Sequence, residues 1–338
     1  MAAPQVHDTD VHKRGEDQAG PSSSPPPSSL PIYHEQFARE DDDFVLESLE
    51  GTLYRVNSYT LRTTCGLFRT MLSLPCPPDP SHDPSQCTTS TSTSTPTHPP
   101  LAIHQPDAVL VPLLCLMSGL PEPALPTLAD IAAVLHLAEI WDAPGPIAFL
   151  RPAVCTPAFL ASDPLRVYAL AAHFGWRAEA QAASTHTLRL NLLNPSSPDA
   201  LADTDIPGCA LLPLLALHRT RRDTLRALLD SPERFLAGNG SPFFCATCAT
   251  TPLDNRSWRE LKARVFKEME ARPLGDMLGV PVGGMAAWEE SKACWAAVCT
   301  KADCSAANYD RVATLRQMRS CVDSLPCQVE VDWLAEDI

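Results

Sequence analysis

The stretch DFVLESLEGTLYRVNSYTLRTTCGLFRTML, residues 43–72, decides how this chain is read. Phe44, Leu46 and Ser48 alternate on one side. Gly51 then offers a reversal, because a residue without Cβ tolerates positive φ. The chain returns with Thr52, Tyr54 and Val56 on one face and Leu53, Arg55 and Asn57 on the other, so the segment spells strand, turn and strand. Asn57 or Ser58 can cap a following helix. In that helix Leu61, Cys65, Phe68 and Leu72 fall at i, i+4, i+7 and i+11, a single apolar stripe. Nothing in the stretch looks catalytic.

Outward from this unit the composition changes abruptly. Residues 1–32 contain GPSSSPPPSSLP, too polar and proline-rich to bury the apolar surface that ordering requires, and are expected to be a disordered tail. An acidic run, Glu40 to Asp43, precedes the first strand. Pro75 stops the first helix, and residues 75–100 form a serine/threonine-rich insertion. Such an insertion costs little, since loop-closure entropy grows only logarithmically. LAIHQ (101–105) reads as a short strand. Asp107 is expected to cap the apolar helix that follows. TLADIAAVLHLAEIWDA (127–143) is the clearest helix, with Leu128, Ile131, Leu135, Ala138 and Trp141 or Asp142 on one face. PIAFLRPAV and TPAFLAS read as short helices broken by Pro152 and Pro157. Asp163 and Pro164 give a strong helix start, and an alanine-rich helix begins at Arg177. Beyond a loop, CALLPLLALHRTRRDTLRALL (209–229) is expected to be helical, with Leu211, Leu214, Leu215, His218, Leu225 and Leu228 as its stripe. Helices are also expected at 257–273 and 309–325. The fold class is therefore α+β, predominantly helical: a small sheet flanked by helices, then a helical, cysteine-containing region at 205–330 and an acidic tail at 331–338.

The 338 residues carry a net charge of −14, which sets general nucleic-acid or anionic-surface binding at a disadvantage. The one basic cluster, HRTRRDTLR (218–226), reads as the solvated face of an amphipathic helix, with DNA contact as the competing reading. The N-terminus lacks the apolar core of a signal peptide, and no apolar run is long enough to span a bilayer. The expected compartment is the cytoplasm or nucleus, where the 13 cysteines stay reduced.

The block from 43 to 190 resembles a BTB/POZ domain, most of all the divergent form of mushroom-type (basidiomycete) fungi. The residues that carry the likeness are DFVLESLEGTLYRVNSYTL, CGLFRTMLSLP, LADIAAVLHLAEIWDAP and DPLRVYALAAHFGWRAEAQAASTHTL, in that order. Asn57 and Ser58 depart from the histidine that the family usually carries after the second strand, and the insertion at 75–100 is longer than the usual connection. The resemblance implies a BTB/POZ-like domain over 33–195 and interaction rather than catalysis: homodimerisation, partner holding, or service as a substrate adaptor on a cullin scaffold of a ubiquitin ligase. The alternative is a zinc-stabilised transcription-regulatory module that oligomerises through the same block.

Cys245 and Cys248 form a CxxC in FFCATCAT. Cys299 and Cys304 form a C-x4-C in KACWAAVCTKADC. Two cysteine pairs can supply the four soft ligands of a zinc tetrahedron, but 50 residues lie between them, too many for an ordinary finger or ribbon. A helical insertion, SWRELKARVFKEMEARP, must then sit between the pairs. Cys294, His218 or Cys321 are the substitutes for one ligand. Three readings stay open: a structural zinc site, ordinary buried cysteines, and a redox CxxC. Cys65, Cys115 and Cys155 lie in apolar helical contexts that suit core packing. No phosphate-binding glycine loop, no nucleophile elbow and no histidine-glutamate zinc motif is present, and GVPVGGM (279–285) lacks a strand-turn-helix frame. His136, His173, His186 and His218 fall in helices, where a hydrogen-bonded or half-exposed ring is the default. The sequence thus offers no catalytic or cofactor-binding set, and the expectation is a non-enzyme.

Overall fold

A computed structural model describes residues 32–74, 99–121, 124–193, 206–231 and 243–330. The N-terminal tail, most of the serine/threonine insertion, part of the loop before residue 206 and the acidic tail lie outside these residues. The described residues hold twelve α-helices and a small three-stranded mixed sheet. The described residues divide into two compact units, one of 32–57 with 99–104, the other of 58–74 with the rest from 105 onward.

The first unit is the sheet. Strands β1 (Phe44–Glu47) and β2 (Leu53–Val56) pair antiparallel, with Phe44 opposite Val56 and Glu47 opposite Leu53. The expected hairpin is present. Its turn closes on Ser48, whose carbonyl accepts the Gly51 N–H (3.1 Å) and whose hydroxyl accepts the Thr52 N–H (3.2 Å). Gly51 has φ +83°, the conformation for which glycine is suited. Strand β3 (Leu101–Ala102) runs parallel to β1, giving the order β2-β1-β3. Burial departs from simple alternation. Val45 and Leu53 are buried as well as Phe44, Leu46, Tyr54 and Val56, so both faces of the hairpin are covered. Residues 32–34 close the outer edge of β2, with the Leu53 N–H donating to the Ile32 carbonyl (2.8 Å) and the His34 N–H to the Leu53 carbonyl (2.9 Å). This places the His34 ring against Tyr54, with Phe37 edge-on to the same tyrosine.

The second unit is helical. The stripe from Leu61 to Leu72 lies on two helices rather than the single expected one: α1 (Ser58–Thr64) and α2 (Gly66–Met71). Cys65 between them is extended, and the physical reason is a backbone docking. The Gly66 and Leu67 N–H groups donate to the Asp142 and Trp141 carbonyls (2.8 and 3.1 Å), and the Cys65 thiol lies 2.9 Å from the Trp141 carbonyl. The orphan N–H groups of one helix start thereby satisfy carbonyls at the end of another helix. A side chain on Gly66 would collide with Asp142, whose Cγ and Cβ lie 2.6 and 2.9 Å from an added Cβ. Leu61, Cys65 and Phe68 remain buried, and Phe68 meets Trp141 edge-on at 5.1 Å.

Helix α3 (Asp107–Ser118) starts on Pro106, so Asp107 occupies the first helical turn and not the cap; Gly119 ends it in a left-handed conformation. Helix α4 (Leu128–Ile140) carries a full capping box between Thr127 and Asp130. Its buried residues are Leu128, Ile131, Val134, Leu135, Leu137 and Ala138, with Trp141 just beyond, as a 3.6-residue period directs. Helix α5 (Pro144–Val154) runs through Pro152, which does not break it, whereas Pro157 opens α6 (Pro157–Ser162). Asp163 caps α7 (Pro164–His173) through its carboxylate and the Arg166 N–H. Helix α8 (Arg177–Thr187) is held to α5 by a two-pronged Arg151–Glu179 pair at 2.7 and 2.9 Å, which lowers the Glu179 carboxyl.

Helix α9 (Gly208–Asp230) packs on α10 (Arg256–Ala271) and α12 (Arg311–Asp323), while the short α11 (Glu289–Ala296) packs on α10. Their shared core includes Leu225, Trp258, Leu261, Val265, Met269, Leu315 and Met318. The buried stripe of α9 is Ala210, Leu214, Leu217, His218, Arg221, Leu225 and Leu229, rotated from the expected one; Leu211, Leu215 and Leu228 are half-buried. Arg221 lies on that buried stripe. Its guanidinium donates to the carbonyls of Pro273 (2.8 Å), Leu274 (3.1 Å), Leu325 and Pro326, clamping the chain after α10 to the chain after α12. Beside it the His218 ring, fully buried, meets the Thr187 hydroxyl at 3.2 Å. Burial, with the Arg221 charge added, pushes that imidazole down to about 4.

Candidate metal centre

Among the described residues two groups bring three or more metal-ligand atoms together: the four cysteines 245, 248, 299 and 304, and the set His136, Glu139 and His173. The first is the set that cysteine spacing singles out. Its four sulfurs lie within 4.8 Å of one another, with Cys245 and Cys304 at 3.7 Å and Cys248 and Cys299 at 3.9 Å. None of the four is in a disulfide. A zinc ion about 2.3 Å from each of four thiolates requires sulfurs about 3.8 Å apart. Both of these separations match that spacing, so the four residues fit the metal.

The backbone explains the convergence. Each pair sits on a short hairpin-like knuckle. In the first, Phe244 bridges Pro252, the Cys245 N–H donates to the Thr251 carbonyl (2.9 Å), and the Ala249 N–H donates back to the Cys245 carbonyl (2.9 Å). In the second, Val298 bridges Ala307, the Cys299 N–H donates to the Ala306 carbonyl (2.8 Å), and the Cys304 N–H to the Lys301 carbonyl (2.9 Å). The residue after the second cysteine of each pair is left-handed: Ala249 at φ 52° and Ser305 at φ 43°. Neither is glycine, so both conformations carry strain that surrounding contacts must hold. The 50-residue separation, which argued against a standard finger, is filled by α10, the loop after it and α11. The knuckles are thus two loops brought together by a helical core.

Polar hydrogens converge on the first knuckle. The Thr251 hydroxyl lies 3.4 Å from the Cys248 sulfur and, with the Thr250 N–H, draws that thiol down to about 5. The Cys248 and Thr247 N–H groups lower Cys245 in the same way. Cys304 stands opposite: the Ala306 N–H favours its thiolate, yet burial and the neighbouring sulfurs push it up to about 11. Four adjacent sulfurs cannot all shed their protons without a cation to compensate. The two threonines at 250 and 251 were not foreseen; their position two and three residues after Cys248 was the available signal.

The substitute ligands lie elsewhere. Cys294 and Cys321 are buried in the apolar core of the C-terminal helices, and burial pushes the Cys294 thiol up to about 12. His218 faces Thr187. Cys65 and Cys115 are buried and Cys155 half-buried. A redox CxxC wants its first cysteine at a helix N-terminus; residues 246–248 form a turn.

No family model and no curated protein matches the chain. No helix among the described residues is long and apolar enough to cross a membrane.

The basic segment 218–226 does not present a continuous charged face. His218 and Arg221 point into the core, Arg222 pairs with Asp223 at 2.8 Å, and Arg226 lies over the Phe266 ring.

Proposed function

We propose that this chain works by holding other proteins, through a BTB/POZ-like block over residues 33–195, and that one structural zinc ion on Cys245, Cys248, Cys299 and Cys304 fixes its C-terminal module. The observation that carries the zinc half is the set of four sulfurs within 4.8 Å of one another, two pairs of them at 3.7 and 3.9 Å. Four thiolates leave no open position for water or substrate, so the ion staples two loops and does not activate a reaction. The interaction half rests on the sequence resemblance, supported by the element order: hairpin, two helices, a third strand parallel to the first, then further helices. This reading assigns the chain to binding and not to catalysis, with the cytoplasm or nucleus as its compartment. A homodimer and a cullin scaffold are the partners the resemblance suggests.

Affinity purification of the full-length chain with mass spectrometry tests it. Recovery of a cullin together with other ligase subunits supports the adaptor reading. Recovery of self-copies without a cullin supports a dimerising scaffold and removes the ligase role. Recovery of neither removes both.

A further inference from the structure

We propose that His136, Glu139 and His173 form a second metal site, an exposed and exchangeable one, for a divalent d-block cation such as zinc. His136 and Glu139 are three residues apart on α4 and share a face. His173 is the last residue of α7, and the fold brings it to that face. The Glu139 Oε2 atom lies 2.8 Å from His173 Nε2 and 3.8 Å from His136 Nδ1. The three ligand atoms all lie within 4.8 Å of one another. Ligands about 2.1 Å from a tetrahedral ion stand about 3.4 Å apart, a value between the two observed separations. Small side-chain rotations therefore suffice to admit the ion.

The rings are held in place before any ion arrives. His136 and His173 meet edge to face at 5.3 Å, and the Phe174 ring lies against both, at 6.2 and 4.9 Å. Phe174 is itself stacked on Trp176 at 4.9 Å. Such packing reduces the rotamer entropy that binding must remove. Without metal, an imidazole N–H donates to the shared carboxylate; with metal, the cation takes the place of that proton. Two imidazoles and one carboxylate suit zinc, copper or nickel better than magnesium or calcium. The chain's net charge of −14 adds a general attraction for cations.

This site differs in kind from the cysteine cluster. The side chains of His136, Glu139 and His173 are 50%, 46% and 38% exposed, so solvent reaches the ion. Three protein donors leave at least one position for water or for a donor atom of another molecule. A bound ion can therefore be exchanged, and can link this face to an external histidine or carboxylate.

The test is calorimetric titration of Zn2+ into full-length protein whose resident metal has first been quantified. The expected result is a 1:1 event beyond the resident metal, with a Kd of about 10 µM or tighter. His173→Ala and Glu139→Gln should each weaken it by roughly tenfold or more, while leaving the resident metal and the thermal midpoint unchanged. Cys248→Ser should leave this event in place, which separates it from the cysteine centre. In NMR, zinc should shift the ring resonances of His136 and His173 together. Absence of the event in the wild type, or its survival in both ligand variants, overturns the proposal and leaves a plain histidine-glutamate ion pair.

Discussion

The helices between residues 107 and 187 and the two knuckles at 243–253 and 297–308 meet the same demand by opposite means. In the first region, backbone polar groups are satisfied inside helices whose ends are closed by Thr127 with Asp130, by Asp163 and by Gly119. Apolar burial holds these helices together. In the second region, few residues are in regular structure, two non-glycine residues are left-handed, and four sulfurs face one another. A helix distributes its stability over many small contributions, whereas a knuckle concentrates it on one centre. The helical region should thus tolerate single changes that the knuckles do not.

The largest break in that contrast comes from the cysteines. Cys299→Ser, or a strong chelator, should cost several kcal/mol, below the ~10–16 kcal/mol of zinc-finger peptides because an apolar core remains. Hydrogen exchange should rise sharply in both knuckles and stay unchanged in α4 and α7. Next is Arg221. Arg221→Met strips four carbonyls of their donor and should cost about 3–5 kcal/mol in denaturant unfolding. Arg221→Lys should recover part of this, since an ammonium cannot fork to both loops.

Acid sharpens the comparison further. The His218 pKa is lower folded than unfolded, so the unfolded chain takes up the proton first. The stability this ring contributes is full above about pH 6.5 and falls away toward pH 4, by on the order of 3 kcal/mol. Unfolding free energies measured across that window should lose this slope in His218→Gln. Glu179, lowered by Arg151, adds a separate loss that begins as pH falls through the ordinary carboxylate range and continues below it. Smaller effects belong to the helical region. Gly66→Ala should cost about 1–3 kcal/mol, through the collision with Asp142. Thr127→Ala should cost about 1 kcal/mol, through the lost cap. Thermal unfolding of both variants reads these directly.

How much was legible in the sequence follows the same division. The hairpin, a short strand within 101–105 and the helix at 128–140 show in period, turn glycine and capping residues, because those signals are local. The cysteine set shows in its spacing, because a tetrahedron of soft ligands has few sequence patterns. What stayed hidden depends on distant backbone. The break at Cys65 is imposed by carbonyls at 141 and 142, and the inward turn of Arg221 by carbonyls at 273–274 and 325–326. No periodicity of a single helix carries that information. The same is true of His173, which meets His136 and Glu139 only once α7 is set beside α4.

The most direct test of the central claim is the metal content of full-length protein, purified without added metal and washed with a mild chelator, beside Cys248→Ser. The account predicts about one tightly held zinc per chain in the first and none in the second. Equal zinc in both, or a wild type without metal whose four thiols are free or joined as disulfides, would contradict it.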